Sequence, residues 1–338
     1  MRRVLGWSFS VLILCAAVAV VSGKSQETSD SQLENEAAPA THNWAGGNPL
    51  KIALLKWYRA NTSTRFKVGK QPYGVAFDGA NIWTANYGDG TVTKLRANDG
   101  EVLGTFAVGA APYGVVFDGA NVWVSNQASG TLTKLRASDG KNLGTFNIGP
   151  YTGWPAFDGE NVWVTSALTQ GNGSVVKIRA SDDKILGTFA VGAGPIAVAF
   201  DGTDVWITND GASSVTKLRA SDGKLLGTFV VGSHPLGVAF DGENIWVANR
   251  YDSTVSKLRA SDGKTLGTFN IYGTDLPYGI AFDGESVWVA GSPYLAKLRP
   301  SDGKEIFYTR APFGAAGLAF DGANIWVGEF NNNTVGKF

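Results

Sequence analysis

The tripeptide Phe-Asp-Gly occurs seven times, starting at Phe77, Phe117, Phe157, Phe200, Phe240, Phe282 and Phe320, at spacings of 40, 40, 43, 40, 42 and 38 residues. A tryptophan stands six residues after each Phe, from Trp83 to Trp326. A lysine follows in every copy: Lys94, Lys134, Lys177, Lys217, Lys257, Lys297 and Lys337. After six of these lysines the text stays close to "LRASDGK-LGTF". A unit this short cannot bury its own apolar faces and must stack on copies of itself. A period near 40 residues points to a propeller or a solenoid.

Each unit contains four short strand patterns and no helical one. In the first, "YGVAF" and "NIWTAN" flank Asp78-Gly79, a hairpin pair whose residues tolerate positive φ. "TVTKLRA" and "VLGTFAV" flank a second turn at Asn98-Asp99-Gly100. The expected fold is therefore all-β: a seven-bladed β-propeller of four-stranded antiparallel blades. The closing "TVGKF" from Thr334 matches a third strand, and "TSTRFKVG" from Thr62 matches a fourth. The last blade is expected to be closed by this N-terminal strand, leaving no free edge. "ALLKWYR", Ala53 to Arg59, also resembles a third strand and either pairs or packs on the rim.

The repeated Trp and Phe are read as inter-blade core, each burying roughly 150–250 Å². The Lys-x-Arg pairs stand beside Ser-Asp-Gly turns and are read as a ring of solvated salt bridges, contributing about 0–1 kcal/mol each. Three residues before each Phe stand Gly74, Gly114, Trp154, Ala197, Gly237, Gly279 and Gly317. On an innermost strand small residues suit a tapering channel, so Trp154, followed by Pro155, is expected to narrow one mouth.

The balance of 29 basic and 29 acidic residues argues against nucleic acid and against a basic membrane-surface protein. Residues 1–23 combine two arginines, an apolar run and small residues at Ser22 and Gly23, the order of a secretory signal peptide. The alternative is an uncleaved signal anchor. Residues 24–50 read as a flexible linker, which contains His42, and 51–338 as the propeller. The only cysteine, Cys15, lies in the leader. The expected location is extracytoplasmic, with membrane contact only through an uncleaved leader, and the expected state is a monomer.

"VGKQPYGVAFDGANIWTANYGDGTVTKL" resembles the repeats of YVTN- and NHL-type propellers: a Gly-Pro turn, an apolar strand, a hairpin and a strand ending in Asn. The resemblance runs from about Thr62 to Phe338 and implies an extracytoplasmic protein, often a binding module. The repeats are more distantly similar to the virginiamycin B lyase family. That likeness implies metal-assisted elimination by histidines and a glutamate on one face. Here the propeller has one histidine, His234, and neither Glu243 nor Glu329 lies in a Glu-x-His arrangement.

Repetition supplies its own control, because function lies where the copies depart from each other. From Trp to Lys the distance is 11 residues in five copies, 14 in the third and 9 in the sixth. These variable loops, and those joining blade to blade, share one face of an antiparallel blade. Three residues after each Trp stand Asn86, Asn126, Ser166, Asn209, Asn249, Gly291 and Glu329. The Asn residues suit a strand end, where the side chain satisfies the backbone, and Glu329 replaces them with a charge. Binding candidates on this face are Trp154, Arg250, Tyr251, Asp252, Asp275, Tyr294 and Arg310. Catalytic candidates are His234 and Glu329; metal candidates are His234, Asp252 and Glu329. There is no His-x-x-x-His, cysteine cluster, phosphate-binding glycine loop or Gly-x-Ser-x-Gly elbow. The expectation is an exported, non-enzymatic propeller that binds a protein or small-molecule ligand with its variable-loop face and needs no cofactor. The alternative is a lyase or hydrolase at the channel mouth, with a divalent metal.

Overall fold

The computed structural model describes residues 64–168, 171–272, 275–311 and 314–338. The leader, the linker with His42, and Ala53 to Arg59 lie outside the described residues.

Seven four-stranded sheets form seven blades. The first is typical: Pro72–Phe77, Asn81–Asn86, Thr91–Arg96 and Val102–Ala107 run antiparallel in chain order. The innermost strands of successive blades touch in a closed cycle, and the strand of the seventh, Ala315–Phe320, touches Pro72–Phe77 of the first. The fourth strand of the seventh blade is Thr64–Lys67, antiparallel to Thr334–Lys337, with Thr64 opposite Lys337 and Lys67 opposite Thr334. Phe66 stacks on Trp326 at 5.5 Å between ring centroids, as Phe106 sits against Trp83 at 5.6 Å.

The core lies between blades. Trp83 and Val92 of the first blade pack with Val122, Val124 and Leu135 of the second, and the other clusters repeat this sharing. Six of the seven repeated tryptophans are wholly buried; Trp288 is half-buried. A buried indole needs an acceptor, and the Phe-Asp-Gly turn supplies it. Trp83 Nε1 donates to Asp78 Oδ2 at 2.8 Å, while Asp78 Oδ1 accepts the backbone N–H groups of Ala80 and Asn81 at 2.9 and 2.6 Å. The indole bond recurs in every blade, ending with Trp326 to Asp321 at 2.7 Å. One aspartate thus closes the hairpin and anchors the core.

These bonds give the aspartates a pH signature. Burial acts to raise the Asp78, Asp283 and Asp321 carboxyls, but the indole and backbone N–H donors outweigh it and hold all three below the ordinary 3.8. A depressed folded value contributes stability above the unfolded value, lost as pH falls through the folded one. The melting temperature should therefore hold as pH falls to about 4 and drop below that. Asp321→Asn should melt lower at neutral pH and show a flatter acid limb. Parallel acid limbs in the two proteins would contradict this account.

The lysines correct the reading of a solvated ring. Lys94, Lys134, Lys177, Lys217 and Lys257 are buried, at 5–9% exposure. Lys94 Nζ lies 5.2 Å from the Trp83 ring centroid and donates to the Ala137 carbonyl of the next blade at 2.7 Å. The stem fills the blade interface, and a buried ammonium must find acceptors. Lys177, Lys217 and Lys337 repeat the bond, to Ala220, Ala260 and Ala97. Lys297, whose neighbouring blade has no Ala-Ser-Asp-Gly turn, pairs with Asp283 at 3.3 Å instead. Of the repeated Lys-x-Arg residues, the arginines form the exposed pairs, such as Arg96 with Asp99 at 2.9 Å.

The small inner-strand residues have a sharper reason than taper. A Cβ on Gly74 would lie 2.5 Å from the Tyr113 carbonyl oxygen, and one on Gly317 would lie 2.6 Å from that of Tyr73. Neighbouring inner strands meet backbone to backbone. The third blade departs from the pattern. Its inner strand in its own sheet is only Ala156–Phe157, while Trp154 N–H donates to the Ile196 carbonyl of the fourth blade at 2.7 Å. Pro155 lacks the N–H that a sheet ladder would use.

Candidate functional site

Both kinds of variable loop meet on one face, hydrogen-bonded to each other. Tyr87 N–H donates to the Gln71 carbonyl, Asp210 to Gly194 and Arg250 to His234, at 2.8–3.0 Å. In each case the acceptor residue has positive φ: 55° at Gln71, 62° at Gly194 and 52° at His234. His234 therefore occupies a turn position of the repeat, and its imidazole is what the fifth blade adds to it.

Two register positions converge at the channel mouth on this face. Four residues before the repeated Phe, three blades place Tyr73, Tyr113 and Tyr278. Four residues after the repeated Trp stand Tyr87, Asp210, Arg250 and Phe330, with Gln127, Ala167 and Ser292 in the other blades. Tyr73 is the hub, with ring centroids 4.7 Å from Tyr113, 5.1 Å from Phe330, 5.7 Å from Tyr87 and 6.1 Å from Tyr278. Burial, reinforced by Tyr113 and Tyr278, pushes the Tyr73 phenol far above the ordinary value of 10, and burial does the same to Tyr113. Both hydroxyls stay protonated at any ordinary pH.

Trp154 extends this cluster inward. Its ring lies 5.6 Å from Tyr113, and it lines a channel cavity of about 140 Å³ with Pro155, Val115, Val198, Ile280 and Leu318. Its indole Nε1 is buried and has no hydrogen-bond partner among the described residues. Gly114 permits this, since a Cβ there would lie 2.7 Å from the Trp154 Cα.

Arg250 closes the cluster on the other side. Its guanidinium carbon lies 4.6 Å from the Tyr278 ring centroid and 5.4 Å from that of Tyr251, a cation–π arrangement. Its Nε is buried without a partner, and among the described residues it forms no ion pair. Beside it, His234 Nδ1 lies 3.2 Å from Asp210 Oδ1, and its ring is 4.1 Å from Tyr251, which is 58% exposed.

The other sequence candidates are placed elsewhere. Glu329 is wholly buried in the seventh blade, where Arg65 Nε donates to its carboxylate at 3.0 and 3.2 Å and Thr334 Oγ1 also donates to it. It takes the structural part played by Asn86, whose amide donates to Thr91 and Thr93 at 2.9 and 2.8 Å. Asp252 is exposed and accepts the Ser233 N–H at 2.7 Å, as Asp89 accepts that of Lys70 in the first blade. Among the described residues no three His, Cys, Asp or Glu side chains are grouped to hold a metal ion, so His234, Asp252 and Glu329 do not converge. Asp275 is exposed and its backbone pairs with Ser292. Tyr294 meets Tyr308 edge to face at 5.4 Å, and exposed Arg310 lies opposite it on the outer strand, away from the inner strands.

Tyr73, Tyr87, Tyr113, Asp210, Tyr278 and Phe330 escaped sequence reading, which compared the copies three residues before Phe and three after Trp. The same comparison one residue further out at each end finds all six.

No family model matches the chain, and no curated protein matches it in sequence. Its fold does match solved structures. A hydrazine synthase from Kuenenia stuttgartiensis superposes with a TM-score of 0.70 at 18% identity, covering 79% of this chain and 95% of that one. A streptogramin B lyase superposes at 0.69 with 16% identity over 82% and 96%. Virginiamycin B lyase from Staphylococcus aureus superposes at 0.67 with 17% identity over 82% and 98%. At these identities the likeness is one of fold: a propeller similar to that of virginiamycin B lyase.

Proposed function

We propose that the protein is a binding propeller that holds a ligand at the channel mouth on its variable-loop face. The observation that supports this is the convergence of residues that break the repeat. Five blades contribute aromatic rings to one patch, and a sixth, the fifth in chain order, adds an arginine with no ion-pair partner among the described residues. Flat apolar walls with a few unsatisfied polar groups are the composition of a ligand site. Saturation-transfer NMR against a small-molecule fragment library tests it. Fragments that bind should weaken at least tenfold with Tyr278→Ala and remain unaffected by Asp139→Ala, on the exposed turn of the second blade's opposite face. Binders indifferent to Tyr278 would remove the mouth as the site.

A second reading draws on the His234–Asp210 contact. A carboxylate at 3.2 Å orients the imidazole and leaves the other ring nitrogen to accept a proton. This would suit a lyase or hydrolase, and two structural neighbours are lyases by name. Consumption of a streptogramin B by the protein, with or without a divalent metal, and its loss in His234→Gln, would carry that reading. A wild-type protein that leaves the compound intact would remove that substrate class.

A further inference from the structure

The ligand class follows from which groups at the mouth lack partners, and the inference rests on the binding reading above. The unsatisfied groups are donors. Arg250 donates no side-chain hydrogen bond to any described residue, and its Nε is buried. The Trp154 indole N–H is also buried and unpaired. A buried donor without an acceptor leaves its desolvation uncompensated, the more so when charged, so these groups favour a ligand that brings an acceptor. The mouth's carboxylate, Asp210, is already engaged by His234. The Tyr73 and Tyr113 phenols remain neutral and add no negative charge.

The walls define the rest of the ligand. Tyr278 and Tyr251 flank the guanidinium, leaving its fork edge as its means of recognition. From there, ring contacts lead through Tyr73 and Tyr113 to Trp154 and the channel cavity. That cavity, about 140 Å³, is lined by Trp154 with aliphatic side chains and glycines of the inner strands, so the ring contacts end at the channel. We infer that the mouth binds an aromatic carboxylic acid, with the carboxylate on Arg250 and the ring among the aromatic faces that lead to Trp154. A bidentate arginine–carboxylate contact gives orientation as well as attraction, and the rings supply stacking.

The test uses benzoate and phenylacetate as probes, with benzamide and benzyl alcohol as uncharged controls, titrated into the full-length protein by NMR. The acids should bind at least tenfold more tightly than the uncharged controls. Arg250→Met, which keeps the stem and removes the fork, should abolish that preference. Arg250→Lys keeps the charge without the fork and should lose most of the preference too. Matching melting curves would show that the variants are folded; if Arg250→Met unfolds, the Lys variant decides alone. Uncharged controls that bind as tightly as the acids, in a Tyr278-dependent way, would overturn the carboxylate inference and leave the binding reading intact. No binding by any probe would also overturn the carboxylate inference, while the binding reading is decided by the fragment screen and its Tyr278 dependence.

Discussion

Trp206→Ala should destabilise the propeller by about 3–5 kcal/mol, the usual cost of truncating a large buried aromatic. Trp206 has no exposed surface, lies 5.5 Å from Phe229 and has Lys217 Nζ 5.0 Å from its centroid. Its indole N–H donates to Asp201 at 2.8 Å. Alanine removes the ring that fills one blade interface, the platform under a buried ammonium and the donor that ties the hairpin to the core. Trp206→Phe separates these effects. It keeps an aromatic ring and loses the N–H to a carboxylate, a bond of about 1.5–3 kcal/mol. Urea unfolding of the three proteins measures both steps. A Phe variant as unstable as the Ala variant would mean that the hydrogen bond, not the ring, carries the site. An Ala variant within 1 kcal/mol of wild type would contradict the inter-blade core.

Arg65→Met should be almost as damaging, at about 3 kcal/mol, the lower end of the range for breaking a buried ion pair because Arg65 keeps 35% of its side-chain surface exposed. The substitution leaves Glu329, which has no exposed surface, with Thr334 as its remaining side-chain donor among the described residues. Glu329→Gln removes the charge at the buried end and keeps a group that can still bond Thr334 and accept from Arg65. It should cost roughly half as much. The asymmetry is the diagnostic result, because burial penalises a lone carboxylate more than a lone amide. Equal losses would mean that burial does not penalise the lone carboxylate more than the amide, and a Glu329→Gln variant close to wild type would mean that Arg65 acts through its packing on Phe338, 5.8 Å from its guanidinium carbon, and not through the pair. Since Arg65 lies in Thr64–Lys67 and Glu329 in the seventh blade, the same experiment measures how strongly the two ends of the described chain hold the ring closed.

The two substitutions probe parts that differ in how readily the sequence shows them. Trp206 belongs to a pattern written seven times, and its role as core needs only the period and its apolar bulk. Glu329 is a single departure. A charge in place of Asn86 or Asn126 invites a functional reading, and nothing near it in sequence indicates that Arg65, 264 residues away, neutralises it. The lysines fail to be legible for a related reason. Lys94 and Arg96 stand two apart in one strand and would share a face by simple alternation, yet a register shift at Lys94/Leu95 intervenes: Lys94 lies over the Trp83 ring in the blade interface, and Arg96 pairs with Asp99 at the exposed turn.

The repeat by itself determined the fold class, the number of blades and the inter-blade placement of the tryptophans, because a period and a local turn chemistry are properties of adjacent residues. It also marked the face where the copies differ, and picked out Trp154, Arg250, Tyr251 and His234 there. Tertiary structure alone decided which departures meet. Tyr73, Tyr278 and Trp154 come from the first, sixth and third blades, and closure of the ring joins them through short ring-to-ring contacts at one mouth. It gave Glu329 and Asp252 partners of their own, Arg65 and the Ser233 N–H. The physical reason is that a propeller's site is made by side chains hundreds of residues apart, and their distances are set by the closed ring and not by any local pattern.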